Sequence, residues 1–196
     1  MPCRSLSFLS GNYYHIFNRG NNRQRIFLED QNYRFFLKQF QDYFDPEAIE
    51  LIAHCLMPNH YHMLVHLQKE IDFSNLMRSF STSYVKSFNS WHKRSGHLFE
   101  GNFRARLIDE DRYLTHLCRY IHLNPVTAAF VQHPQDWKYS DYVQWISDPG
   151  SDILPNIRVR KRFFGTAQDY QSFVMDYAGE EKVRKEIEKL LFGWID

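Results

Sequence analysis

The sequence predicts an α+β protein with a ferredoxin-like antiparallel sheet, helices on one face of that sheet, and a C-terminal helical extension. Its strand and helix patterns follow one another in the order strand, helix, two strands, helix, strand, helix, which suits a ferredoxin-like unit. After Pro134 the character changes to aromatic, turn-rich and basic stretches, and helical patterns return over 168–192. A length of 196 residues suits one main core with an appendage. We therefore expect one domain over 1–150 and a helical extension over 151–196.

The first four elements are identified by the spacing of their apolar residues. "YYHIF" has the aromatic and β-branched character of a strand and leads into the Gly- and Asn-rich loop "NRGNNRQ". "EDQNYRFFLKQFQDYF" begins with acidic residues and repeats phenylalanine at helical spacing, which predicts an amphipathic helix ending near Asp45. "IELIAHCL" and "HYHMLVHL" predict two strands joined at "MPN".

The next three elements complete the predicted sheet and its helices. "DFSNLMRSFSTSYVKSFNSWHK" repeats apolar residues every four positions and predicts a second long helix. "RARLI" alternates and predicts a further strand. "DEDRYLTHLCRYIHLNP" has acids in its first turn and a proline at its end, which predicts a third helix.

Composition excludes several classes of protein. The net charge of +1 argues against a polycation that coats DNA, so any nucleic-acid affinity must come from local patches. One such patch is Leu76–Leu107, which contains six basic residues and a single acidic residue, Glu100. The three cysteines are far apart and form no C-x-x-C motif, which favours a reducing cytoplasm. No stretch is apolar enough to cross a bilayer, so we expect no membrane partner.

The stretch "HCLMPNHYHMLVH" carries four of the ten histidines. If its second half is a strand, alternation sends His60 and His62 to one face, and a core face lies opposite. Two imidazoles at positions i and i+2 can coordinate one divalent ion. The alternative is ordinary hydrogen-bonded histidine, which is our interpretation of His54 and His66.

A metal site needs further ligands, and "RYIHLNP" offers them. On a helix, Tyr120 and Asn124 lie one turn apart on the same face, so a phenol and an amide oxygen project together. Asn124 has a second interpretation, as the cap of a helix that begins with Pro125. Tyr120 also has a second interpretation, as a half-buried aromatic of the helix. Tyr113 lies on roughly the same face and competes for its role.

Four motifs, in this order and spacing, carry a family resemblance: "NRGNNRQRIF", "HCLMPNHYHMLV", "FRARLIDEDRYL" and "RYIHLNPVTAAFV". They resemble the HUH single-tyrosine transposases, and most closely the REP-associated tyrosine transposases. The resemblance runs from about Tyr13 to about Tyr142. It implies that 1–150 is the catalytic domain, with the same ferredoxin-like sheet, and gives the extension no role.

The resemblance also implies a reaction and a set of site residues. His60 and His62 would bind the metal, Tyr120 would be the nucleophile, and Asn124 would stand where many relatives carry a glutamine that completes the metal site. The family cleaves and rejoins single-stranded DNA beside hairpins, here repetitive palindromic elements, through a 5′-phosphotyrosine. Two imidazoles with amide and water oxygens suit Mg²⁺ or Mn²⁺, although Zn²⁺ also fits the ligand types. Relatives include monomers and homodimers, so both assemblies are open.

The candidate DNA contacts lie in the first loop and on the late strand, because amides and guanidinium groups bind phosphates and read base edges. They are Arg19, Asn21, Asn22, Arg23, Arg104 and Arg106. Two alternatives to an active transposase stay open. One is a domesticated DNA-binding protein without catalysis, and the other is a metal-dependent phosphodiesterase that uses water while Tyr120 is structural.

Overall fold

The computed structural model of the protein describes residues 7–148 and 154–176. The strands are β1 (Tyr13–Arg19), β2 (Ile49–Met57), β3 (His60–Leu67) and β4 (Arg104–Ile108). The α-helices of the described ranges are α1 (Asp30–Tyr43), α2 (Phe73–Trp91), α3 (Asp111–Thr127), α4 (Tyr142–Trp145), α5 (Pro155–Phe164) and α6 (Ala167–Met175). Short 3-10 turns span Asn21–Arg23 and Pro134–Asp136. None of the helices in these ranges has the length and apolarity needed to cross a membrane.

The four strands form one antiparallel sheet in the order β2-β3-β1-β4. β1 and β3 are its central pair, with Tyr13 opposite His66 and Arg19 opposite His60. This order, with α1 after β1 and α2 after β3, confirms the predicted ferredoxin-like fold. The register also brings the end of β1 beside the start of β3, where the paired histidines lie.

Helices α1 and α2 pack over the face of β3 that carries Tyr61. Phe36 of α1 lies with its ring centroid 4.8 Å from Phe80 of α2 and 5.0 Å from Tyr61. The Tyr84 hydroxyl of α2 donates a 2.6 Å hydrogen bond to the Ile26 carbonyl in the loop before α1. Each such buried ring contributes about 2–3 kcal/mol of transfer free energy. Many aromatic residues of this chain therefore serve the core.

Both helices begin at side chains that satisfy exposed backbone N–H groups. The Asn32 side chain accepts a 3.2 Å hydrogen bond from the Glu29 backbone N–H at the start of α1. At the start of α2, the Asp72 carboxylate accepts from the Asn75 backbone N–H at 3.0 Å. Such caps stabilise a helix by about 1 kcal/mol each.

Helix α3 is one continuous helix that passes through Pro125. The interpretation of Asn124 as the cap of a separate helix starting at Pro125 is therefore wrong. A proline this close to the helix end removes one backbone hydrogen bond, to the Ile121 carbonyl. Leu123, Asn124 and Pro125 are all buried, so packing of this turn offsets that loss.

The chain divides into two compact units. The first holds Met1–Glu50 and Leu56–Leu107, and the second holds Leu51–Cys55 and Ile108–Asp196. The core of the second unit is built by α3, α4, α5 and α6, with Tyr142, Trp145, Ile157, Tyr170 and Val174 buried.

The predicted extension is helical where the structure describes it. α6 begins at Ala167, one residue before the predicted 168–192 stretch, whose part beyond residue 176 lies outside the described residues. The sequence analysis did not predict α5, because "SDPGSDILPN" is turn-rich and "RVRKR" is a short basic run. Ile157, Val159 and Arg160 of α5 are nonetheless buried. The boundary between 150 and 151 lies outside the described residues and stays a prediction.

Candidate functional site: a histidine pair, an arginine-rich loop and a tyrosine helix

His60 and His62 lie at the start of β3, two residues apart and therefore on the same face of the sheet. Their ring centroids are 5.1 Å apart and their planes meet at 79°. His60 is half-buried, whereas His62 is only 3% exposed. The rigid strand thus holds two imidazoles side by side at one end of the sheet.

Both imidazoles are oriented through the same ring nitrogen. His60 Nδ1 lies 2.7 Å from Asn59 Oδ1, and His62 Nδ1 lies 3.0 Å from His15 Nε2 on β1. The acceptor on Asn59 requires His60 Nδ1 to carry the proton. Since a neighbour engages Nδ1 of each ring, Nε2 is the candidate ligand atom in both residues.

Sequence reasoning missed His15. It lies 47 positions before His62, and only the pairing of β1 with β3 brings the two together. His15 is fully buried and stacks on Phe17 at 4.8 Å. The one sequence signal was the alternation of β1. His15 lies two positions before Phe17 and so shares its sheet face, and Phe17 lies opposite His62 in the register.

Burial keeps both inner histidines neutral. Burial, with a smaller contribution from the Arg106 charge, lowers the pKa of His15 to about 3. Burial, followed by the neighbouring His60 and His15, holds the pKa of His62 well below its usual value. Neutral imidazole is the form that binds a metal. With its pKa below the usual value, His62 has that form at neutral pH.

The loop after β1 closes onto the turn that precedes His60. The Gly20 N–H donates to the Asn59 carbonyl at 2.8 Å, and the Ile26 N–H donates to the Pro58 carbonyl at 2.8 Å. Asn22 and Arg23, both exposed, adopt left-handed backbone with φ of 51° and 57°. The structure therefore brings Asn21, Asn22 and Arg23 to the sheet end that carries the histidine pair.

Arg19, opposite His60 in the register, is engaged by an acidic partner. Its Nε and Nη2 atoms donate to the two Glu100 carboxylate oxygens at 2.9 and 3.0 Å. A DNA phosphate at Arg19 would have to compete with this two-point pair. Its role as a DNA contact stays a prediction.

Gly20 is needed for this loop conformation. A Cβ at this position would lie far inside van der Waals contact with the Gln24 carbonyl oxygen and 3.0 Å from the Ile26 side chain. We expect Gly20→Ala to destabilise the protein by about 1–3 kcal/mol because the backbone must shift. Thermal denaturation measures the loss. Gly101→Ala is the matched control, since a Cβ there meets nothing within 4 Å; equal melting temperatures for the two variants would contradict the expectation.

Arg104 and Arg106 lie two residues apart on β4, so their side chains share one sheet face. Arg104 is exposed and Arg106 is half-buried. The Arg106 charge is close enough to the buried His15 to contribute to the lowering of its pKa.

Tyr120 and Asn124 lie on α3, in the second unit. Tyr120 is half-buried, Asn124 is 8% exposed, and the Asn124 Nδ2 atom donates to the Tyr120 carbonyl at 3.4 Å. That bond directs the amide nitrogen along the helix, so Oδ1 is the atom with ligand chemistry. Tyr113 is half-buried as well, so burial does not separate the two tyrosines. The arrangement of Tyr120 and Asn124 relative to His60 and His62 stays a prediction.

The model of the family described as "Transposase IS200 like" matches residues 9–124, more than half of the chain. The chain belongs to this family. The transposase is also 26% identical, over 160 residues, to a Haemophilus influenzae protein named as a REP-associated tyrosine transposase. That match covers 76% of this transposase and 88% of its relative.

A solved structure shares the fold of the transposase. It is described as the REP-associated tyrosine transposase bound to a REP hairpin, and it superposes with a TM-score of 0.60 at 22% identity. The match covers 74% of this transposase and 86% of the solved chain. The predicted family and fold are thus confirmed, and the transposase is an enzyme by family.

Proposed function

We propose that this transposase cleaves and rejoins single-stranded DNA next to palindromic hairpins, with Tyr120 as the nucleophile. His60, His62 and Asn124 would hold the catalytic cation, Mg²⁺ or Mn²⁺. The observation that carries the proposal is the pair of strand-mounted imidazoles, each with its Nδ1 engaged by a neighbour, in a chain of the IS200-like family.

The residues present fit a divalent cation bound partly by protein. Among the described residues, no group of three or more His, Cys, Asp or Glu side chains could hold a metal ion. Two imidazoles must therefore be joined by other donors, and the Asn124 amide oxygen and water supply the oxygen ligands that Mg²⁺ and Mn²⁺ prefer. When bound, the cation offsets the negative charge of the scissile phosphate and orients it.

The protein's own step is a phosphoryl transfer to a phenol. Tyr120 Oη attacks the phosphorus, an oxygen–phosphorus bond forms, and the bond from phosphorus to the 3′ oxygen breaks. The tyrosine proton passes to solvent, and the 3′ oxygen takes a proton from solvent as it leaves as a hydroxyl group. A phenol with a pKa of about 10 is a good leaving group, so a 3′-hydroxyl can reverse the step and rejoin the strand.

The partner we propose is single-stranded DNA that forms hairpins, as in repetitive palindromic elements. The related solved protein is described as bound to a REP hairpin. Asn22 and Arg23, exposed at the sheet end that carries the histidine pair, supply amide and guanidinium donors for the DNA backbone and base edges.

The compartment we propose is the cytoplasm, which suits the buried free thiols at Cys55 and Cys118. A homodimer is one of the assemblies to be tested.

The proposal is tested by incubating the full chain with hairpin DNA that carries a single-stranded flank, with Mg²⁺ or Mn²⁺. Denaturing electrophoresis detects covalent protein–DNA adducts, and mass spectrometry locates the modified residue. We expect an adduct at Tyr120 that requires the metal. Hairpin binding without an adduct would indicate a DNA-binding protein instead, and metal-dependent cleavage without an adduct would indicate a phosphodiesterase.

His15 is expected to tune the metal affinity through His62. Because His15 Nε2 lies 3.0 Å from His62 Nδ1, its loss leaves the His62 ring without that contact. We expect His15→Ala to weaken Mn²⁺ binding by about tenfold, as for other groups that orient a metal-binding histidine. Isothermal titration measures the affinity. With a cation on His62 Nε2, His62 Nδ1 carries the proton and donates to His15 Nε2. His15→Gln should recover part of the affinity, because an amide oxygen accepts from the same N–H. Unchanged affinity in His15→Ala would overturn the assignment.

A further inference from the structure

A buried polar cluster in the second unit is not used by the chemistry above. Asp141, in the segment before α4, is only 4% exposed. It accepts from the His54 backbone N–H at 2.7 Å, His122 Nε2 at 3.1 Å, Trp145 Nε1 at 3.0 Å and Asn156 Nδ2 at 3.4 Å. One carboxylate thus joins β2, α3, α4 and α5.

The cluster continues from His122 to the last described helix. His122 Nδ1 lies 2.6 Å from the Tyr170 hydroxyl of α6, and both residues are fully buried. An ionised carboxylate only accepts, so His122 Nε2 carries a proton and donates to Asp141. In the neutral imidazole His122 Nδ1 is then the acceptor, and Tyr170 donates its hydroxyl proton to it.

The charge environment agrees with these donor and acceptor roles. Burial alone would raise the pKa of Asp141, but His54 and His122 outweigh it and lower that pKa, so the carboxylate is ionised. Burial raises the pKa of the Tyr170 hydroxyl, which therefore keeps its proton.

His122 links the cluster to Tyr120 and Asn124, because all three residues lie on α3. A helix turns about 100° per residue, so His122 lies about 200° around the axis from Tyr120, on nearly the opposite face, whereas Asn124 returns to the Tyr120 face. A bond that fixes the back of the helix fixes its rotation about its own axis. That rotation decides where Tyr120 and Asn124 point.

A neighbouring residue of α3 makes a second attachment to α6. The buried Arg119 donates from Nη1 to the Phe173 carbonyl at 3.2 Å. Its guanidinium carbon also lies 4.3 Å from the centroid of the Phe173 ring. Two residues of α3 about one helical turn apart, Arg119 and His122, are therefore held by α6.

We propose that Asp141 and Tyr170 are positioning residues, which set the rotation of α3 through His122 and so aim Tyr120 and Asn124. The C-terminal extension is then part of the machinery for strand transfer through α6. This inference rests on the proposed function for the role of Tyr120, while the anchoring of α3 is independent of it.

The test compares Tyr170→Phe with Tyr142→Phe in the full chain. Both remove one hydroxyl from a buried tyrosine of the second unit, but in the described part of the chain the Tyr142 hydroxyl has no hydrogen-bond partner. Val159→Ala, in α5, is a third variant that lowers stability without touching the cluster. For each we measure the adduct-forming rate at saturating DNA, the hairpin dissociation constant, and hydrogen exchange of the α3 amides.

We expect Tyr170→Phe to slow adduct formation by about tenfold, because small misplacements of a nucleophile are costly. Its hairpin affinity should be unchanged and its α3 amides should exchange faster. Tyr142→Phe and Val159→Ala should keep the wild-type rate. A wild-type rate in Tyr170→Phe, or an equal loss in Val159→Ala, overturns the positioning role. If the wild type forms no adduct, the proposed function fails, and the exchange of α3 alone decides the anchoring.

Discussion

Tyr120→Phe is expected to abolish the covalent protein–DNA adduct, a loss of more than about a thousandfold in rate, because it removes the only atom of the side chain that can bond to phosphorus. Hairpin affinity should stay close to that of the wild type, since Tyr120 loses one oxygen and keeps its ring. Denaturing electrophoresis with labelled DNA measures the adduct, and a filter or gel-shift titration measures the affinity.

Tyr113→Phe is the matched control. Tyr113 is also half-buried and lies two helical turns before Tyr120 on roughly the same face of α3. It should keep full adduct formation. The reverse result, with activity retained in Tyr120→Phe and lost in Tyr113→Phe, would move the nucleophile to Tyr113.

His62→Ala is expected to remove adduct formation and to weaken Mn²⁺ binding by at least about a hundredfold, because one of two imidazole ligands is lost. Excess Mn²⁺ should restore little activity. The variant also leaves the buried His15 without its partner, at a cost of about 1–3 kcal/mol in stability. For this reason His60→Ala, at a half-buried position, should be measured beside it.

His66→Ala provides the control for a lost histidine on the same strand face. His66 lies four residues after His62 on β3, and its Nδ1 atom lies 3.1 Å from the Glu50 carboxylate. It should keep both Mn²⁺ affinity and adduct formation. Wild-type rates in both His62→Ala and His60→Ala would rule out the proposed metal site.

Local patterns predicted the sheet and its first three helices because each of these segments follows one period. The alternation of β3 placed His60 and His62 on one face without knowledge of any other strand. α5 was missed because Arg160 reads as a solvated charge. In the structure its guanidinium is buried and donates to the Trp145 and Ser147 carbonyls at 2.9 and 2.6 Å.

The partners that orient the candidate site could not be predicted, because they are distant in sequence. His15 reaches His62 only through the register of β1 on β3, and Tyr170 reaches His122 across 48 positions. Single-sequence periodicity says which face a residue occupies, but not which residue faces it. The Asn124–Pro125 pair shows the same limit, since packing carried α3 past a proline that local rules place at a boundary.

The buried cluster around Asp141 also limits how the protein can be trimmed for engineering. The family match ends at residue 124, which would suggest residues 9–124 as a minimal fragment of the enzyme. Such a fragment would keep His122 but lose its partners Asp141 and Tyr170. The His122 imidazole, buried in the full chain, would then be exposed to water, or the fragment would aggregate. A portable version of this enzyme should therefore retain the chain at least through α6.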